Sequence, residues 1–192
     1  GHTAELLIVA ARAVGSSSAQ GVSLFLLPAS TMGVSRQWLP SMDQTRKQAA
    51  VQLDNVSVGE DALMGEAGQG WEALSKVIDL ATIALAAEQV GGCQQLLDMT
   101  VAYTSERVQF NRTIASYQAV KHKAADMMLR TEVARSAVYY AACIAQEALE
   151  GGALAGELRE AASVAESYCS DAYFAIAGDA LQLFGGVGFT WE

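Results

Sequence analysis

Around Gly65, Gly68 and Gly70 the spacing of apolar residues changes, and this change constrains the fold more than any other feature of the chain. Before these glycines the apolar residues come in short runs. After them they recur about every 3.6 residues, the repeat of an α-helix. No single kind of element satisfies both patterns. The chain therefore divides into a strand-forming region at 1–64 and a helix-forming region at 65–192.

In the strand-forming region, Leu6, Leu7, Ile8, Val9, Ala10 and Ala11 form a continuous apolar run. Residues 22–27 form a second run, which Pro28 ends because proline donates no ladder hydrogen bond. The glycine- and serine-rich stretch 15–21 is expected to turn between them. Residues 34–39 and 50–56 supply two further short candidates. Together they predict a β-meander, a portion of a β-barrel or β-sandwich and too small to close a core alone.

In the helix-forming region a first helix is expected over 71–107. A second begins after Ser116, a good N-cap residue, and ends at Gly151 and Gly152. It places Val120, Ala124, Met127, Thr131, Ala134, Val138, Ala141 and Ala145 on one stripe. A third covers 154–177, and a short fourth surrounds Leu181. Abundant alanine lets such helices approach closely, and short connections between long helices predict a four-helix-bundle-like domain. The fold class expected is mainly α: an antiparallel C-terminal helical bundle preceded by a partial β-barrel or β-sandwich segment.

Composition removes several function classes. Apolar residues make up 52% of the 192 positions, enough for a substantial core, so an intrinsically disordered chain is excluded. The formal charge of −9 argues against a nucleic-acid binder, which needs a basic face for phosphate contacts. Cys93, Cys143 and Cys169 are too few and scattered for a disulfide framework or a thiolate zinc site, and His2 and His122 lie far apart, so no metal site is expected. With no signal peptide and no run of about 18 apolar residues, a cytoplasmic protein without a membrane span is expected. Both ends read as cuts through a longer protein.

Two segments carry chemistry. The first, 107–127, crowds Arg107, Phe110, Gln109 and Gln118 around one tight connection. An arginine at a helix end suits bidentate phosphate binding, but from composition alone neutralising the helix dipole is the commoner role. The second, 182–192, contains Gly185, Gly186 and Gly188, whose backbone amides suit close approach of a phosphate or an adenine edge, or a simple helix C-cap. It is not the dinucleotide fingerprint G-x-G-x-x-G and no strand precedes it, so a Rossmann fold is not implied.

In this order and at this separation, the two segments resemble the acyl-CoA dehydrogenase family of flavoproteins. Arg107, Phe110, Ile114, Gln118, Ala125, Asp126 and Met127 fall on the family's R-x-x-F-G-x-P-I, Q and A-D-M positions. Gln182, Gly185, Gly186, Gly188, Phe189 and Thr190 meet its Q-x-x-G-G-x-G-F/Y-T pattern. Residues 4–12 resemble a strand of its middle domain, and Asp43, Gln44, Thr45, Arg46 and the 65–71 segment resemble the approach to its C-terminal helices. The similarity covers essentially the whole chain.

The resemblance implies an FAD-dependent enzyme that removes the α- and β-hydrogens of an acyl-CoA thioester, giving a trans-2-enoyl-CoA. FAD would be held by Arg107, Phe110, Gln118, Gln182, Leu183, Phe184, Gly185 and Gly186, much of it across a subunit boundary. A homodimer or homotetramer is implied, as is electron transfer to an electron-transfer flavoprotein or similar acceptor. Asp79 matches the acid of a substrate-binding D-x-x-R pair whose arginine is here Thr82. Asn111 replaces the motif's glycine and Thr113 its proline; Asn tolerates the left-handed region, which would preserve the turn. The usual base position falls beyond Glu192, and the isovaleryl branch's alternative position is Ala81. Glu88 and Glu192 are given no catalytic role, and no catalytic residue is assigned. A non-catalytic partner subunit of a heteromeric dehydrogenase, or an acyl-CoA oxidase-like or nitroalkane oxidase-like enzyme of the same fold, are the alternatives.

Overall fold

A computed structural model of the chain describes residues 1–43 and 45–190. Gln44, Trp191 and Glu192, which figured in the sequence reasoning, lie outside the described residues. Two compact units divide inside the first long helix, between Ser75 and Lys76.

The first unit is antiparallel β-structure. Strand β1 (Leu6–Arg12) pairs along its whole length with β2 (Val22–Pro28), from Leu6 opposite Pro28 to Arg12 opposite Val22. Pro28 sits in the terminal pair, where a missing N–H costs least. Strand β5 (Leu63–Met64) adds to the other edge of β2, while β3 (Val34–Leu39) and β4 (Gln48–Leu53) form a separate two-stranded sheet. Arg36 joins the two sheets by donating to the carbonyl of Ala4 at 2.5 Å. The strand expected over 50–56 is displaced to Gln48–Leu53, because Asn55 takes a positive φ of 48° that breaks extended backbone. The sequence gives no sign of β5, a two-residue strand after a 3-10 turn at Glu60–Ala62.

The buried apolar residues of this unit are Val22, Leu24, Leu27 and Ala29. The glycine segment is docked against β2. Gly68 N–H donates to Ser23 Oγ at 2.8 Å, and Gln69 bridges to Val22. A Cβ on Gly70 would lie 2.9 Å from Leu24 Cγ and 3.1 Å from Val22 O, so only glycine lets the chain pass this close to β2.

The second unit is built on helices α1 (Gly70–Glu106), α2 (Gln118–Glu150) and α3 (Leu158–Phe184), followed by one turn, α4 (Gly186–Phe189). Side-chain partners fix their directions. Asp79 with Arg159, Gln89 with Glu166 and Tyr103 with Phe184 climb together, so α1 and α3 run parallel. Lys76 with Ala148 and Gln94 with Arg135 run oppositely, so α2 is antiparallel to both. Asp179 of α3 is clamped by Lys123 and Arg130 of α2.

The core between them is dominated by alanine: Ala86 on α1, Ala134, Ala141 and Ala148 on α2, and Ala161, Ala162, Ala165 and Ala172 on α3, closed by Ile83, Val90, Ile144 and Leu158. On the expected α2 stripe Met127, Thr131, Ala134 and Ala141 are buried, and Val120, Ala124, Val138 and Ala145 are half-buried. Thr131 is tolerated there because its hydroxyl donates to Met127 O at 2.9 Å.

Two sequence expectations are corrected. There is no separate helix around Leu181: α3 continues through it to Phe184. Nor does Ser116 cap α2. It lies in a 3-10 turn (Ile114–Ser116) and its hydroxyl donates to Thr113 O at 2.6 Å, leaving Tyr117 as the N-cap.

Candidate functional site

The alternating helix directions put the C-terminal ends of α1 and α3 and the N-terminal end of α2 together. Both chemistry-bearing segments lie at this end. Tyr103, one turn before Arg107, stacks on Phe184 with ring centroids 4.4 Å apart and 14° between planes. Its hydroxyl also donates to Phe184 O at 3.4 Å. That contact joins segments some 80 positions apart in sequence.

The 107–117 connection, expected only as a tight turn, is a miniature β-hairpin. Strands β6 (Val108–Gln109) and β7 (Arg112–Thr113) pair across a two-residue loop of Phe110 and Asn111. Both loop residues have positive φ, 55° and 61°, the mark of a type I′ turn. Asn111 thus holds the left-handed position of the glycine in the family motif. Phe110 is an outlier, since bulky residues rarely take this conformation. The residue is 88% exposed.

Beneath the hairpin, Ile114 N–H donates to Arg107 O at 2.8 Å, closing the mouth of the loop. The Arg112 guanidinium lies 3.8 Å over the Tyr117 ring, and Tyr117 OH donates to Gln109 O at 3.3 Å. Arg107, Gln118 and Gln182 are exposed. Among the described residues the Arg107 guanidinium has no ion-pair partner.

In the second segment the side chains divide. Leu183 packs against the buried cluster of Cys93, Leu97, Met127, Ile176 and Ala180, and Phe184 stacks on Tyr103. Gly185 takes φ 64° and ψ −139°, and its N–H returns to Leu181 O and Gln182 O at 3.2 Å. Gly185 is thus the C-cap of α3, and the following glycines wind into the single turn α4.

Asp79 stands apart. It precedes Arg107 by most of α1, a distance of about 40 Å at 1.5 Å per residue. It pairs with Arg159 Nε at 3.6 Å, so an arginine of α3 occupies the acid that lacks its D-x-x-R partner. Ala81 is exposed and Thr82 half-buried. Tyr103, Arg112 and Tyr117 escaped the sequence reasoning: a stacking pair between distant helices leaves no periodic signal, and two-residue strands are too short to show alternation.

The donor set suits a dinucleotide with a pyrophosphate. It offers one fork-shaped cation, two amide side chains, an exposed aromatic ring and glycine backbone, with no carboxylate among the assigned residues. A family model described as acyl-CoA dehydrogenase, C-terminal domain, matches residues 68–192. The chain belongs to the acyl-CoA dehydrogenase family.

An acyl-CoA dehydrogenase of Bacillus subtilis is 32% identical over 193 residues, covering 98% of this chain and 48% of the relative. Acyl-CoA dehydrogenase IpdE2 of Mycolicibacterium smegmatis is 35% identical over 153 residues, covering 80% of this chain and 42% of its own length. Butyryl-CoA dehydrogenase from Megasphaera elsdenii superposes with a TM-score of 0.89 at 29% identity, covering 99% of this chain and 48% of that one. The chain thus spans about half the length of the acyl-CoA dehydrogenases it matches. Among the described residues no helix is long and apolar enough to cross a membrane.

Proposed function

We propose that this chain is the C-terminal portion of an FAD-dependent acyl-CoA dehydrogenase, forming trans-2-enoyl-CoA from a saturated acyl-CoA thioester. The observation that carries the proposal is the meeting, at one end of three helices, of Arg107, without an ion pair among the described residues, with Gln118, Gln182 and the Gly185–Gly186 backbone. When bound, FAD supplies the two-electron acceptor, and the protein supplies position and electrostatics. Arg107 is assigned to the pyrophosphate, where a guanidinium makes a bidentate charge-assisted contact. Gln118 and Gln182 fix the nucleotide through amide hydrogen bonds, and Phe110 offers its exposed ring for stacking. Because these groups face outward, we assign the bound FAD to a neighbouring subunit in a homodimer or homotetramer. An electron-transfer flavoprotein or similar acceptor would reoxidise it.

A second proposal is favoured by two observations. Ala81 lies where one branch of the family carries its base, and Asp79 is engaged by Arg159. Those facts suit a non-catalytic partner subunit that contributes only nucleotide contacts.

Arg107→Ala, made in the full-length protein, tests both. Loss of one charge-assisted contact, about 1.5–3 kcal/mol, should weaken FAD binding by roughly 10- to 100-fold, read as loss of the flavin absorbance on gel filtration. An unchanged FAD affinity would remove Arg107 from the site. Bleaching of the wild-type flavin by acyl-CoA supports the dehydrogenase; bleaching only after a second gene product is added supports the partner subunit.

A further inference from the structure

The hairpin that follows Arg107 is held in a costly conformation. Phe110 and Asn111 both occupy the left-handed region, at φ 55° and 61°, and a phenylalanine there persists only where its surroundings over-determine it. The glycine and proline that stiffen this turn in the family motif are absent, replaced by Asn111 and Thr113. Two ladder pairs, Val108 with Thr113 and Gln109 with Arg112, are too few to hold a two-stranded ribbon alone. The Ile114 N–H to Arg107 O bond closes its mouth but leaves its tip unsupported, so something else must hold it.

Tyr117 supplies it. Its ring lies 3.8 Å beneath the Arg112 guanidinium, its hydroxyl donates to Gln109 O at 3.3 Å, and its carbonyl accepts the Val120 and Lys121 amides at 3.1 Å. The residue therefore grips both strands of the hairpin from above the first turn of α2. It also precedes Gln118 directly. We infer that Arg112 and Tyr117 form a positioning pair that locks the hairpin so that Phe110 and Arg107 are presented together. Arg112 acts here through the Tyr117 ring and makes no ligand contact of its own. The inference rests on the FAD-holding role proposed above.

The charges around Arg112 do not offer an alternative explanation of its placement. Among the described residues no carboxylate pairs with it, and a stacked guanidinium keeps its face on the ring while its edge stays hydrated. Thr113, in the position of the motif's proline, spends its carbonyl on Ser116 Oγ at 2.6 Å, which ties the second strand to the same 3-10 turn.

The test uses the full-length protein and four variants: Arg112→Met, Arg112→Lys, Tyr117→Leu and the double variant Arg112→Met with Tyr117→Leu. Two readouts are taken: FAD affinity by flavin fluorescence, and the rate of chymotryptic cleavage after Phe110 with no FAD present. Arg112→Met and Tyr117→Leu should each weaken FAD about threefold, the scale of an exposed cation–π contact, and speed cleavage after Phe110. The double variant should be no weaker than the worse single, because the two act as one unit. Arg112→Lys should restore most of the affinity. Tyr117→Leu changes no charge, so its effect separates positioning from direct attraction between Arg112 and phosphate. Additive losses, no rescue by lysine, or faster cleavage with unchanged FAD affinity would each overturn the pair. If wild type binds no FAD while cleavage still responds to the variants, the FAD assignment fails and the positioning role fails with it. If wild type binds FAD and Arg107→Ala weakens it while these variants do not, only the positioning role fails.

Discussion

The three cysteines occupy two chemically different settings. Cys143 is exposed, while Cys93 and Cys169 are buried between helices. Burial away from water disfavours the thiolate and pushes the Cys169 pKa up to about 11, with Cys93 and then Glu166 adding to the shift; burial also raises Cys93. The Cys169 thiol finds a weak acceptor in Ala134 O at 3.7 Å. In the native protein at pH 8 one thiol per chain should therefore react rapidly with a colorimetric disulfide reagent, and three after denaturation. Two fast native thiols would contradict the burial. The sign of the pH effect follows. The folded pKa of Cys169 lies above its ordinary value of 9.0, so the unfolded chain ionises first. Stability is therefore unaffected by this group below pH 9 and declines as pH rises from 9 through about 11.

Adjacent glycines in α1 show how packing decides the effect of one methyl group. Gly91 is exposed, and a Cβ there would meet nothing within 4 Å. Gly92 faces Tyr173, whose ring atoms would lie 2.6–2.9 Å from a Cβ. Gly91→Ala should raise stability by about 0.5–1 kcal/mol through helix propensity. Gly92→Ala should gain less than Gly91→Ala or lose stability, because the exposed Tyr173 ring must swing aside to admit the methyl group. Denaturant midpoints check the difference: a Gly92→Ala midpoint at or above that of Gly91→Ala would contradict it. The helices themselves were legible, because a 3.6-residue repeat over 27 to 37 positions averages out local noise. Strand β3 (Val34–Leu39) was legible at both bounds, and β1 to within one residue. What was hidden depended on tertiary contact. The end of α3 is extended by stacking of Phe184 on Tyr103, and the true N-cap of α2 emerged only because the Ser116 hydroxyl turns back to Thr113. The candidate site was legible as residue types in two motifs, but not as geometry: the hairpin conformation of Phe110 and the Arg112–Tyr117 stack have no periodic signature.

At the scale of the whole chain, the groups proposed to hold FAD cover only some of what the proposed dehydrogenation requires. The reacting Cα–H and Cβ–H bonds, a base and the flavin ring must be held in one near-attack arrangement. The described residues bring together a cation, amides and glycine backbone at one helix end, which suits the nucleotide. The substrate candidate Asp79 lies at the other end of α1, already paired with Arg159. Large apolar side chains are meanwhile left facing water. In the first unit Leu6 is 58% and Ile8 63% exposed; in the second, Phe174 is 84% and Phe189 83% exposed. Patches of that kind drive association. The 192-residue chain by itself should therefore self-associate, despite a formal charge of −9, and should show no acyl-CoA-dependent bleaching when mixed with FAD. Sedimentation at several concentrations and a visible spectrum before and after acyl-CoA addition measure both. Raising the salt should strengthen the association, because the like charges that oppose it are screened while the apolar contacts are not. A monomer at all concentrations would show that these side chains are not an association surface. A stoichiometric yellow complex that bleaches with acyl-CoA would show that the groups missing from the site as described are not required for the reaction.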